Sequence, residues 1–147
     1  MDPNATIEGF APWWTRAAFR NELARRLSAM FHIDVRCEAD DALDRGLESV
    51  NALHLYRIAQ EAVTNAAQHG NANQVHIALR RDGERGLLRI EDNGNGFNPS
   101  HQSKGLGLRI MHYRAQMMAG SLRIESARAR GTIVSCWFPF QGLTPPS

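Results

Sequence analysis

Leu55-Tyr56-Arg57-Ile58-Ala59-Gln60-Glu61-Ala62-Val63-Thr64-Asn65-Ala66-Ala67-Gln68-His69 is the stretch on which the fold turns. Leu55, Ile58, Ala62 and Ala66 recur at helical spacing, and neither glycine nor proline occurs from Ser49 to His69. The segment therefore reads as one long helix with an apolar face. Ser49 is its expected N-cap, and Gly70 the expected left-handed residue after its last turn. Upstream, Phe19, Leu23, Leu27 and Met30 mark a first helix over residues 12–30, with Pro12 near its start. Ile33, Val35 and Cys37 alternate in a short strand that ends in the polar stretch from Glu38 to Arg45. Downstream, Val75, Ile77 and Leu79 form a second strand, Asp82-Gly83 a turn, and Leu88 and Ile90 a third strand ending at Asp92. Asn93 to Gly107 holds four glycines and a proline; long irregular stretches inside a compact domain are usually functional. Leu108, Met111, Ala115 and Met118 mark a helix closed by Gly120, and Leu122 and Ile124 followed by Thr132, Val134, Cys136 and Phe138 supply a final hairpin. Hairpins outnumber crossovers, so the expected fold class is α/β: a two-layer sandwich with a mixed, mostly antiparallel sheet and helices on one face. The other sheet face must be covered or tolerate solvent.

Composition bounds the function classes. The chain has 147 residues, 43% hydrophobic and 22% charged, values of an ordinary globular domain rather than a disordered or disulfide-framework chain. No apolar run approaches the roughly 18 residues that span a bilayer, and the start lacks the basic and apolar regions of a secretory signal. Seventeen basic residues against fifteen acidic ones leave +2, without the concentrated basic stripe that nucleic acid requires. Sixteen of those cations are arginine, and the single lysine is Lys104. Cys37 and Cys136 have no CxxC partner, which reads as two thiols in a reducing compartment.

Three clusters carry chemistry. Glu61, Asn65 and His69 are spaced by four and project from nearly one helix face. Such a stripe is either a solvated face or the floor of a site, and the scarcity of charge around it favours the floor. HExxH is absent, which argues against zinc, whereas magnesium takes amide or carboxylate oxygens and completes its shell with phosphate and water. Asp92-Asn93-Gly94-Asn95-Gly96 follows a strand end. It is a turn composition, and equally one in which a carboxylate accepts from an exocyclic amine while glycines let backbone pass close to a flat ring. Lys104-Gly105-Leu106-Gly107-Leu108 opens a helix, whose unpaired amides suit a polyphosphate. It is neither a Walker A loop nor a dinucleotide fingerprint, and Lys104 is either an exposed cation or a phosphate contact.

In this order and spacing the clusters resemble the nucleotide-binding motifs of the GHKL ATPase superfamily, most closely the catalytic domain of a two-component sensor histidine kinase. Leu55 to His69 is similar to the N box of the NarL-partner class, Asp92 to Gly96 to the G1 box, Gly105 to Met111 to the G2 box, and Gly131-Thr132 to the final GT motif. The resemblance covers about residues 20–140. It implies a Bergerat-type sandwich, with an N-terminal extension over residues 1–11, an ATP-binding domain over 12–140 with a lid at about 97–104, and a flexible tail over 141–147. It further implies that Asn65 ligates Mg2+, Asp92 bonds the adenine amine, Gly94 and Gly96 shape the adenine pocket, and Thr132 backs the base. The G2 residues Gly105, Leu106, Gly107 and Leu108, with Lys104 and His69, would meet the phosphates. Glu61 is the N-box acid, a site residue whose role stays open between activating water and a kinase's need to exclude it.

The implied cofactors are ATP and Mg2+, and the implied activity is transfer of the γ-phosphoryl group to a histidine. None of the six histidines is followed by an acidic residue, so no acceptor box is present, and the acceptor and dimerisation domain of the same kinase is an expected partner. A downstream response regulator is the second. Autophosphorylation is not expected without the acceptor. Contact with nucleic acid or membrane is not expected, the isolated domain is expected to be a monomer, and its location cytoplasmic even where the parent kinase is membrane-anchored. The alternatives are a stand-alone GHKL ATPase, an anti-sigma-type serine kinase, and a non-catalytic module in which nucleotide gates a partner surface.

Overall fold

Period-two alternation is what assembles the molecule: in the computed structural model, which describes residues 19–96, 107–126 and 131–140, the alternating segments become one five-stranded sheet. The elements run α1 (Phe19–Phe31), β1 (Asp34–Ala39), α2 (Asp41–Gly46), α3 (Ser49–Gln68), β2 (Gln74–Asp82), β3 (Arg85–Asp92), α4 (Leu108–Met117), β4 (Ser121–Ser126) and β5 (Thr132–Pro139). Strand order is β1-β2-β3-β5-β4; β1 lies parallel to β2, and every other pairing is antiparallel. The extension at 1–11, the start of the first helix at 12–18, the lid at 97–104 and the tail at 141–147 lie outside the described residues.

Register sorts the side chains into two faces. Val35 pairs with Val75, Ile77 with Ile90, Leu79 with Leu88, Ile90 with Val134 and Leu88 with Cys136. All are buried, and with Leu23, Leu27, Leu55, Ile58, Val63 and Met111 from the helices they form one core. The helices cover that face. The opposite face meets water and carries ion pairs, Arg80 with Glu38 at 2.6 Å, Arg89 with Glu91 at 3.3 Å and Arg123 with Glu125 at 3.7 Å. This is the alternation an antiparallel sheet with one solvated face requires, and it fits the α/β sandwich expected from the sequence.

Several local details differ from the sequence reading. Glu48, not Ser49, is the N-cap of α3, and its side chain makes no capping bond. The left-handed residue after α3 is Asn71, φ 54°, rather than Gly70; asparagine tolerates that region because its short polar side chain bonds locally. After α4, Ala119 takes the left-handed position, φ 56°, while Gly120 donates its N–H to the Ala115 carbonyl at 2.9 Å. The polar stretch after β1 contains α2, capped by Asp40, whose carboxylate accepts from the N–H groups of Ala42 (3.0 Å) and Leu43 (3.2 Å). This short helix buries Leu43 and presents the 4% exposed Asp44 to the Arg20 N–H at 3.1 Å. Met30 follows the helical period of α1 but stands 48% exposed, because the period overshoots the core edge in the last turn. The thiols of Cys37 and Cys136 are both free, and burial pushes each up to about 12, so neither is a reactive thiolate. Among the described residues no helix is long and apolar enough to cross a membrane.

The two ends of the α1 stripe should separate in a denaturation experiment. Leu27→Ala, at 0% exposure, is expected to cost about 2–5 kcal/mol. Met30→Ala is expected to stay within about 0.5 kcal/mol of the parent, both read from urea midpoints.

Candidate nucleotide site

The site is built at the end of β3, where the chain must turn without losing its hydrogen bonds. Asn93 supplies them: its Oδ1 accepts from the N–H groups of Asn73 (3.1 Å) and Gln74 (3.0 Å), and its Nδ2 donates to Asn73 Oδ1 at 2.7 Å. Two residues on, the Asn95 N–H donates to the Gly70 carbonyl at 2.6 Å. The turn after β3 is thereby sewn to the loop after α3, so the last turns of α3 and the tip of β3 open onto the same cleft.

Asp92 stands at that tip. Its Oδ1 accepts the Gly94 N–H at 2.8 Å, and the Thr132 N–H also bonds its carboxylate. Burial pushes the carboxyl above the ordinary aspartate value, and the two N–H groups oppose that rise without cancelling it. Gly131 permits the arrangement. Its φ is 80°, and a Cβ there would overlap the Asp92 carbonyl oxygen, so glycine is required on both counts.

The cleft is narrow and is lined by Ala62, Asn65 and Ala66 of α3, by Gly70, Asp92 and Gly96, by Leu108 and Met111 of α4, and by Ile124, Thr132 and Val134. It is an apolar slot with three side chains able to hydrogen-bond: Asn65, Asp92 and Thr132. Such a slot takes a flat apolar body and orients it by a few placed polar groups. The Thr132 hydroxyl is itself held at 2.8 Å by the Ser126 hydroxyl from β4.

The residues singled out in the sequence fall into three groups. Asn65, Asp92, Gly96, Leu108 and Thr132 line the cleft, with Gly94 buried in the turn beside them. Glu61 is half-buried at the N-terminal end of α4, its carboxylate against Gly107, the left-handed N-cap of that helix (φ 69°), where any Cβ would collide with it. His69 is the exposed C-cap of α3 and is not among the residues lining the cleft. The stripe Glu61-Asn65-His69 thus serves three places rather than one floor. Lys104, Gly105 and Leu106 lie outside the described residues. Sequence reasoning missed the walls, Ala62, Ala66, Met111, Ile124 and Val134, and the supports Ser126 and Asn73. Of these, the small pair Ala62 and Ala66 flanking Asn65 was a readable sign of close approach.

Comparison with known proteins supplies the family. The model of the family described as histidine kinase-, DNA gyrase B-, and HSP90-like ATPase matches residues 50–142, from the first turn of α3 to just past β5. Among solved structures, the Erythrobacter litoralis EL346 blue-light activated histidine kinase is 22% identical with a TM-score of 0.70, over 84% of this chain and 41% of that one. Its histidine kinase domain is 26% identical with a TM-score of 0.69, over 85% and 63%. The ATP binding domain of PrrB from Mycobacterium tuberculosis is 21% identical with a TM-score of 0.67, over 88% and 93%. The chain therefore spans less than two thirds of the Erythrobacter chains and nearly all of the PrrB domain. The match over residues 50–142 covers more than half of the sequence: this chain belongs to the histidine kinase-, DNA gyrase B- and HSP90-like ATPases.

Proposed function

We propose that the chain is the Mg-ATP-binding catalytic domain of a two-component sensor histidine kinase of the NarL-partner class, donating the γ-phosphoryl group to a histidine on a separate acceptor and dimerisation domain. The observation that carries this reading is the half-buried Asp92 carboxylate facing an apolar slot, supported by structural likeness to histidine kinases over most of the chain.

The residues fit the group they would hold. Ala62, Ala66, Met111 and Val134 accept the faces of an adenine ring, Asp92 accepts from its exocyclic amine, and Thr132, held by Ser126, bonds the base from behind. Gly94 and Gly96 keep the adenine wall thin. Asn65 presents a neutral amide to the cleft, the hard oxygen donor that a phosphate-bound Mg2+ completes its shell with. When bound, that ion neutralises charge on the transferring phosphates. The N-terminal end of α4 at Gly107 and Leu108, preceded by Lys104, Gly105 and Leu106, faces the phosphates with unpaired amides; exposed His69 adds a polar group beyond Asn65. Glu61 stands at that same helix end, in place to orient a nucleophile. The acceptor imidazole attacks the γ-phosphorus, the bond to the bridging oxygen breaks, and ADP departs with the electron pair. The protein's contribution is positioning and electrostatics. A response regulator takes the phosphoryl group next, and the domain works as a cytoplasmic part of a longer kinase.

Asp92→Asn is expected to weaken ATP binding roughly 10- to 100-fold by calorimetry, without lowering the melting temperature of the nucleotide-free domain at neutral pH. The sign follows from the raised carboxyl: the folded state holds the proton more tightly than the unfolded chain, so ionised Asp92 opposes folding above its ordinary range. An Asn93→Leu variant removes the acceptor of the Asn73 and Gln74 N–H groups, which water can replace at this exposed turn, and should weaken ATP binding by about 0.5–1.5 kcal/mol; Asn93→Asp, which keeps the acceptor oxygen, should recover part of it. With a separately purified acceptor hairpin and radiolabelled ATP, label should pass to a histidine. Steady phosphate release without acceptor, abolished in Glu61→Ala, would instead show a stand-alone ATPase.

A further inference from the structure

His54 is an unusual residue for the inner part of a helix. It lies in the first half of α3, 7% exposed, with Nδ1 3.3 Å from Nη1 of Arg114 on α4. A guanidinium only donates, so Nδ1 must carry a lone pair and the imidazole is neutral, its proton on Nε2. The Arg114 Nε, on the same guanidinium, is buried without a hydrogen-bond partner among the described residues.

The pair sits at one end of the α3–α4 crossing, and Glu61 against Gly107 marks the other. Both contacts are seven residues apart along their helices, about 10 Å, and between them α4 carries Leu108 and Met111, two walls of the cleft. We propose that His54 and Arg114 form a positioning latch that seats α4 on α3 only while the imidazole is neutral, so that acid releases the α4 wall and weakens nucleotide binding. The latch rests on the nucleotide-binding reading for its consequence, but not for its existence.

Protonation would set two cations 3.3 Å apart at a poorly solvated crossing, and the relief open to them is movement of α4. Burial first, and the Arg114 charge second, hold His54 below the ordinary histidine value near 6.5. Other charges face elsewhere. Arg57 on α3 bonds Gln60 at 2.9 Å and Glu61 stands at Gly107. On α1, which also packs on α3, Arg25 and Arg26 both pair with Glu22. Arg109 and His112 on α4 are exposed. Among the described residues only Arg114 acts on the charge of this ring. Because the folded value is depressed, stability is intact above about 6.5 and falls as pH drops below it, where the unfolded chain takes up the proton first.

Binding of a non-hydrolysable ATP analogue with Mg2+ is to be titrated between about pH 5.5 and 8. The parent should weaken by roughly fivefold or more on acidification. His54→Asn keeps an oxygen for Arg114 but cannot take the proton, and should lose less than about twofold beyond what Asp92 contributes to both proteins. His112→Gln, at an exposed position of α4 outside the cleft, should keep the parent profile. Coincident profiles for the parent and His54→Asn would overturn the latch. In nucleotide-free protein the urea midpoint of the parent should fall more steeply with acid than that of His54→Asn; equal falls would overturn the latch whether or not nucleotide binds. Absence of binding at pH 8 would instead strike the nucleotide reading. If His54→Asn does not fold, Arg114→Gln, which removes the facing charge, should shrink the acid loss, and an unchanged loss would refute the proposal.

Discussion

A carboxylate taken half out of water at the tip of β3 is the constraint to which the open end of this domain is fitted. Removing Asp92 from solvent is unfavourable, and the surroundings offset only part of that through the N–H groups of Gly94 and Thr132. To bring those donors in, the chain must turn sharply after β3 and β5 must start with a residue that lets backbone pass against the Asp92 carbonyl. Asn93 and Gly131 do these two things. With its proton affinity still raised, the ionised carboxylate does not itself stabilise the fold, a pattern common among desolvated groups at binding sites.

The helical layer gives that carboxylate something to face. Ala62 and Ala66 are small enough to leave a slot between α3 and the sheet, while Leu55, Ile58 and Val63 on the same helix fill the core. One helix thus closes the interior with its large residues and opens the cleft with its small ones. Its contacts with α4 fall at Glu61 and Gly107 and at His54 and Arg114, and α4 carries the Leu108 and Met111 walls of the slot. The ion-paired sheet face plays no part in the cleft; it keeps the exposed side of an otherwise apolar sheet in water.

Legibility followed the range of the interactions. The long helix, the β2–β3 hairpin and the final hairpin were readable because periodicity is local, and Asp92, Asn65 and Thr132 were readable because their motifs are contiguous. The short helix α2 was not, since its six residues are too few for a period to show and only the Asp40 cap, a single side chain, announces it. Met30 obeyed the period of α1 and still faced water, because burial depends on where the sheet ends. The partners that tie these elements together are distant in sequence: Asn73 with Asn93 across 20 residues, His54 with Arg114 across 60. No spacing rule pairs them. Nor could it show that Glu61, Asn65 and His69, aligned on one face, divide among a helix end, a cleft and an exposed cap.

The central claim is that the Asp92 carboxylate selects a purine bearing an exocyclic amine. Inosine triphosphate differs from ATP in carrying an oxygen where adenine carries that amine, so it cannot donate to Asp92 from that position and sets an acceptor against a carboxylate, its N1–H lying one atom away from the place the amine would occupy. Competitive calorimetry of the two nucleotides with Mg2+ on the unmodified domain is the direct measurement. The account predicts ATP binding tighter by at least about a hundredfold; equal affinity for the two would contradict it.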